Sequence, residues 1–307
     1  MPTIALRAPA KVNLTLSVGP PEPPGSPRPG WHPIASWIAP VDLCDEVHAE
    51  TLAQDSPSIL VVRHADDAPR PTRIDWPVER DLAFRALRAL EAHAGRTLPT
   101  RLTLTKRIPI GAGLGGGSSD AASALMALNT LHGLSIPLDA LTGIAQMLGS
   151  DVPFFIQADP HTLPQPALVS RFGEVIERLS PVHAEILLII PGFSCATPEV
   201  YAAFDRLPPR TLREAEVREL AAAHTLDPER LFNDLTPAAC VVRPELARLL
   251  AHASEASGFP AHLTGSGSAM FIITPPERAH ALAAHLAEDP LLADCALVAT
   301  HLSDRPG

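Results

Sequence analysis

Pro109-Ile110-Gly111-Ala112-Gly113-Leu114-Gly115-Gly116-Gly117-Ser118-Ser119-Asp120-Ala121-Ala122 decides how the rest of this 307-residue chain is read. Five glycines in seven residues, Gly111 to Gly117, make no sense as core or as helix interior. Glycine costs conformational entropy and is placed where the backbone takes positive φ or a ligand approaches it closely. Ser118-Ser119-Asp120 then supplies N-cap residue types, and Ala121, Ala122, Leu125, Met126 and Leu128 follow at helical spacing. In front stands Arg101-Leu102-Thr103-Leu104-Thr105-Lys106, whose alternation predicts a half-buried strand. A strand, a glycine loop and a helix start present free N–H groups and the positive end of a helix dipole, which is a phosphate site.

Known phosphate loops differ in detail. No lysine follows the glycines before Ser118, so a Walker loop is excluded. Gly111, Gly113 and Gly116 do fit G-x-G-x-x-G. A dinucleotide fold, however, would need a first strand apolar on both faces and an acidic residue ending a second strand downstream. Here the strand is half polar, and Pro137 with another helical pattern comes next. Neither H-R-D nor D-F-G occurs, so a protein-kinase glycine loop also fails.

Outward from the loop, the pattern predicts strands over 3–8, 12–18, 34–39, 46–52, 59–63, 185–190, 269–274 and 296–300. Helices are expected over 79–94, 118–131, 138–148, 198–204, 212–223, 237–257 and 276–287. The class is α+β (α/β two-layer), with strands first and a helix-rich second half. A domain boundary is expected within 158–183, a stretch with several prolines and weak periodicity, giving domains 1–165 and 166–307. Pro20, Pro21, Pro23, Pro24, Pro27, Pro29 and Pro33 crowd one stretch, so 19–30 reads as a stiff exposed loop and less as a docking segment for an aromatic groove.

Composition narrows the function classes. Apolar residues make up 46% and charged residues 19%, which is globular, and the net charge of −10 disfavours general binding to nucleic acid or anionic membrane. The longest aliphatic run, Ile186 to Ile190, is far short of a membrane span, and the first residues do not read as a signal peptide. Cys44, Cys195, Cys240 and Cys295 are too far apart for a C-x-x-C pair and read as buried thiols of a cytoplasmic protein.

Two further segments matter. In Ala8-Pro9-Ala10-Lys11-Val12-Asn13-Leu14, Lys11 taken alone reads as an edge lysine. Leu263-Thr264-Gly265-Ser266-Gly267, taken alone, reads equally as a hairpin turn. In order along the chain, these two and the glycine loop resemble the three signature motifs of the GHMP kinase superfamily. Lys106-Arg107-Ile108-Pro109, Gly149-Ser150-Asp151-Val152-Pro153, Thr197-Pro198-Glu199-Val200-Tyr201 and Phe232-Asn233-Asp234-Leu235 extend the resemblance toward the branch acting on a cytidine diphosphate-linked methylerythritol.

The resemblance implies a two-domain fold with the active site in the inter-domain cleft, the C-terminal domain being ferredoxin-like. It implies ATP and Mg2+, with Pro109, Ile110, Gly111, Ala112, Gly113, Leu114, Gly115, Gly116, Gly117, Ser118 and Ser119 around the nucleotide. Metal ligands stay unassigned. It implies Lys11 and Asp151 as catalytic residues, although Asp151 alone would read as a turn aspartate. A carboxylate can take the proton of a weakly nucleophilic alcohol, and a lysine favours the developing alkoxide. Asn13, Trp31, His32, Phe193 and Thr197 are the implied substrate residues, with Trp31 and Phe193 on the two faces of the pyrimidine and His32 at its edge. The partner is a small-molecule substrate; no nucleic acid or membrane partner is expected.

The chain departs from the pattern in three places. The loop before Gly30-Trp31-His32 is a proline-filled insertion, Trp31 stands for the usual Tyr, and Arg171-Phe172-Gly173-Glu174 stands for Gly-x-Gly-Glu. Other members of the superfamily, of homoserine or mevalonate kinase type, and a non-catalytic sensor of the same fold are the competing readings.

Overall fold

The computed structural model describes residues 1–223 and 225–303. The chain divides into two compact units. One contains Met1–Ala10, Leu43–Ile110 and Gly115–Pro164; the other contains Lys11–Asp42, Gly111–Leu114 and Gln165–Gly307.

In chain order the elements begin with two long strands, β1 (Thr3–Val18) and β2 (Ile34–Thr51). The sequence predicts two short strands in each place, broken around Pro9 and Pro40. The structure runs through both prolines, because proline lacks only the ladder donor and keeps its carbonyl. Pro40 O accepts from Ser303 N at 2.9 Å. β3 (Ile59–His64) and α1 (Leu82–Ala94) follow. α1 starts later than the expected Glu79 because Asp81 caps it, its side chain accepting from Ala83 N at 2.9 Å and Phe84 N at 3.4 Å. Gly95 ends it at φ 63°.

β4 (Thr100–Lys106), α2 (Gly116–Leu131) and α3 (Leu138–Leu148) match their predicted places, and a single turn, α4 (Val152–Phe155), follows. β5 (Ala167–Arg171) and β6 (Val175–Arg178) form an antiparallel pair inside the stretch expected to be a boundary. Then come β7 (Ala184–Ile190), α5 (Thr197–Phe204), α6 (Glu214–Ala222) and β8 (Phe232–Asn233). The expected helix 237–257 is two helices, α7 (Thr236–Val242) and α8 (Pro244–Ser257). Pro244 disfavours helical geometry in the residue before it, and Arg243 sits at φ −133°, ψ 90°. β9 (Ala261–Leu263), β10 (Met270–Thr274), α9 (Ala279–Ala287) and β11 (Ala296–Leu302) complete the described chain.

In the first unit β4 pairs parallel with β3 and antiparallel with the end of β2, from Glu46↔Thr105 to Thr51↔Thr100. Helices α1, α2, α3 and α4 pack together there. Leu87, Leu90, Leu102, Leu104, Leu125 and Phe154 are fully buried. In the second unit β11, β7, β10 and β9 form an antiparallel run, β5 pairs with the start of β2, and β8 lies parallel to β1. β7 and β10 bury Leu187, Ile189, Met270 and Ile272 against Val200, Leu246 and Leu286. Among the described residues no helix is long and apolar enough to cross a membrane. Cys195 is buried and the other three cysteines are only partly so, which corrects the expectation of four buried thiols.

Candidate active site

The second unit gathers three sequence motifs that lie far apart in the chain. Lys11, on β1, is buried, and its Nζ donates to Asn13 Oδ1 at 2.6 Å. Two residues apart on a strand, both side chains leave the same face. Asn13 Nδ2 donates to Ser36 Oγ at 2.8 Å, and Asn13 N donates to Thr264 Oγ1 at 3.0 Å. The first half of the glycine loop is held to both partners. Lys11 N donates to Leu114 O at 2.9 Å, and Ala269 N donates to Ala112 O at 2.9 Å. Gly113, at φ 83°, lies so close to the 264–267 turn that a Cβ on it would meet Thr264 O at 2.8 Å and Gly267 O at 2.9 Å. That approach is why this position has no side chain. Thr197, at the start of α5, shares a 2.8 Å hydrogen bond with Ser266. Lys11, Asn13, Thr197 and residues 111–114 therefore surround one turn.

The second half of the loop belongs to the first unit, where Gly115 (φ 72°) precedes α2. The chain on either side of the loop is tied through one buried ion cluster. Lys106 Nζ makes short contacts to both Asp45 Oδ2 and Asp120 Oδ2. Asp45 Oδ1 accepts from Ile108 N at 2.8 Å, at the loop's entry, while Asp120 lies on α2 just past its first turn, beyond the loop's exit. Two carboxylates face one ammonium. Burial, opposed by Lys106 and helped by Asp45, pushes the Asp120 carboxyl up to about 8, while burial pulls the Lys106 ammonium down and Asp120 and Asp45 together outweigh it, holding the group above its ordinary range. Asp120 Oδ1 and Ser119 Oγ are buried without a hydrogen-bond partner among the described residues.

Asp151 stands just before α4 with φ −88° and ψ −16°, partly buried. His32 is buried and fully engaged. Its Nδ1 donates to Gly19 O at 2.8 Å, its Nε2 lies 3.2 Å from Asp205 Oδ1, and its ring packs against Tyr201 and Phe204. Trp31 is the contrast, 54% exposed, with ring contacts to Phe172 and Arg28. Phe193 is partly buried and lines a cavity of about 340 Å³ with Leu249, His252 and Leu291.

The pattern of the GHMP kinases N terminal domain matches residues 81–158, which hold the glycine loop and Asp151. That of the GHMP kinases C terminal matches residues 212–290, which hold the 264–267 turn. This chain belongs to the GHMP kinase family. Members of the family are ATP-dependent kinases, and this kinase has their mixed, two-domain α+β fold. A 4-diphosphocytidyl-2-C-methyl-D-erythritol kinase of Nocardioides sp. is 35% identical to it over 289 residues, 92% of each chain. One of Polaromonas sp. is 34% identical over 272 residues, 87% of this kinase and 82% of that relative. A crystal structure of 4-(cytidine 5'-diphospho)-2C-methyl-D-erythritol kinase superposes with a TM-score of 0.74 at 30% identity, covering 98% of this kinase and all of that chain.

Three residues of this candidate site were not singled out from the sequence. Asn233 Nδ2 donates to Leu263 O at 3.0 Å and Gly265 O at 2.8 Å, fixing the 264–267 turn. Thr264 and Ser36 orient Asn13. Asn233 and Thr264 lie within segments already noted, but only the hydrogen bonds show what each one holds. Ser36 lies in an ordinary strand and carries no sequence signal.

Proposed function

We propose that this kinase transfers the γ-phosphoryl group of ATP to the 2-hydroxyl of 4-diphosphocytidyl-2-C-methyl-D-erythritol, a step of the non-mevalonate route to isoprenoid precursors. The observation that carries the reading is the junction of Lys11, Asn13, Gly113 and Thr264 around one turn. It leaves a buried lysine beside a loop stripped of side chains, in a chain 34–35% identical to kinases named for that substrate.

In this reading the loop from Pro109 to Ser119 surrounds the nucleotide, and the N–H groups after Pro109, with the start of α2, receive its phosphates. Asp151 takes the proton of the acceptor hydroxyl, and Lys11, its position set by Asn13, supplies positive charge to the oxygen as it becomes nucleophilic. Positioning and charge neutralisation account for most of what phosphoryl transfer asks of a protein. Trp31, exposed, stacks on the cytosine, with Phe193 and Thr197 completing the substrate contacts. His32, with one ring nitrogen on Gly19 and the other on Asp205, serves the pocket by holding the base of the proline loop beside Trp31.

Mg2+ suits the donor set. The Ser119 hydroxyl, buried without a hydrogen-bond partner among the described residues, would be a hard oxygen ligand for it at the loop. Bound there, the ion would neutralise phosphate charge. Such an enzyme works in the cytoplasm, where ATP is available.

The test is ADP release with the cytidylyl substrate, beside methylerythritol phosphate, homoserine and mevalonate, for wild type and Asp151→Asn. Turnover with the cytidylyl substrate alone, reduced about a thousand-fold in the variant, is expected. Turnover with homoserine or mevalonate instead would reject the substrate. ATP binding without turnover on any of them would leave the sensor reading.

A further inference from the structure

The three places where the sequence departs from the family pattern meet in one cluster. Arg28, from the proline-rich insertion, sets its guanidinium 4.8 Å from the Phe172 ring centroid and 5.4 Å from that of Trp31. Trp31 and Phe172 meet edge to face at 6.1 Å. Arg28 Nη1 reaches Glu174 Oε2 at 3.4 Å, and the same oxygen accepts from Phe172 N at 2.9 Å. The turn that presents Phe172 carries Arg171 at φ 60°, a conformation uncommon outside glycine. The backbone of residue 31 is pinned as well. Trp31 N donates to Arg28 O at 3.1 Å, and Glu22 N donates to Trp31 O at 2.8 Å.

An exposed indole usually has torsional freedom to lose when it stacks on a ligand, and that loss weakens binding. Here a cation on the ring and an aromatic edge hold it, yet more than half of its surface stays open. We infer that Arg28, Phe172 and Glu174 are positioning residues that hold Trp31 ready to stack on the cytosine of the substrate. The inference rests on the function proposed above. It gives the proline insertion a purpose, which is to carry Arg28 to the β5–β6 turn, so that the substitutions at residues 28–31 and 171–174 work as one unit.

The experiment uses the full-length enzyme with CDP as binding probe and with the cytidylyl substrate in turnover, for wild type, Arg28→Ala, Arg28→Lys, Phe172→Ala and Trp31→Ala. Arg28→Ala and Phe172→Ala are expected to raise the KM for the cytidylyl substrate and the Kd for CDP about three-fold each, with kcat and the KM for ATP unmoved. Arg28→Lys should recover part of the loss, since ammonium keeps the charge but not the flat guanidinium. Unchanged KM and Kd in both alanine variants, with Trp31→Ala still weakening binding, overturns the clamp and leaves the proposed function standing. Equal losses in kcat or in the KM for ATP show a merely structural role and overturn it too. A wild type that binds CDP without turning over the substrate rejects the reaction, and the Kd values still decide the clamp. A wild type that does neither overturns both.

Discussion

The Thr264 carbonyl oxygen stands 2.8 Å from where a Cβ on Gly113 would lie, and Gly113 itself is at φ 83°. A methyl group there meets backbone that cannot rotate away, in a conformation that already costs an alanine about 1–2 kcal/mol. Gly113→Ala is predicted to cut kcat/KM at least about a hundred-fold, since ångström-scale misplacement near the reacting groups is enough to do so. Gly258→Ala is the control, at φ 72° with nothing within 4 Å of the added Cβ. It should show a lowered Tm only. Equal activity in the two variants would refute the close-approach argument.

Asn13 accepts from Lys11 and donates to Ser36, both buried. Asn13→Ala removes one acceptor from the ammonium and leaves the Ser36 hydroxyl short of a donor, a loss of about 1–3 kcal/mol. Reduced kcat together with a lower urea midpoint is the expected result. A fall in stability with kcat intact would mean that Lys11 does not depend on Asn13 for its position.

Lys106 separates two buried carboxylates. Lys106→Met leaves them facing each other unpaired and should destabilise the fold by about 3–5 kcal/mol. Asp120→Asn should be tolerated to within about 1 kcal/mol, because burial already favours the uncharged form of this group, whose pKa is pushed up to about 8. Urea denaturation of the two variants measures both values. Similar losses in the two would show that the cluster is not organised around the lysine.

His262 lies against Phe271 at 5.4 Å, and burial holds its imidazole below the ordinary 6.5. The folded state therefore prefers the neutral ring. This contribution is complete above pH 6.5 and is lost as the pH falls below it, because the unfolded chain then takes up a proton that the folded chain refuses. Unfolding free energy should drop as the pH falls below about 6.5, and His262→Phe should flatten part of that slope. Parallel pH profiles for wild type and variant would count against it.

The glycine loop, the strand before it and the helix after it could be read from the sequence because their signals are local: glycine density, alternation and helical spacing. Helix starts were less legible. Asp81 displaced the start of α1, and Pro244 split a helix that looked continuous, both through hydrogen bonding and backbone sterics at single residues. β5 and β6 escaped notice because four- and five-residue strands carry little periodicity, and β5 is fixed by its pairing with Ile34–Ile38 of β2. That His32 latches the proline loop could not be read from the sequence, since its partner Asp205 is 173 positions away.

Residue order alone established the glycine loop, the strand–loop–helix arrangement around it, the absence of a long apolar segment and, through its motifs, the family. All of these depend on which residue types follow one another. It took the folded chain to show that Lys11, Asn13 and Gly113 meet the 264–267 turn, that Lys106 bridges Asp45 and Asp120, and that Arg28 reaches Phe172. Those are contacts between residues 14 to more than 250 positions apart. They form because strands and helices that bury their apolar faces together have few ways to pack, and their polar groups must then find partners where packing has placed them.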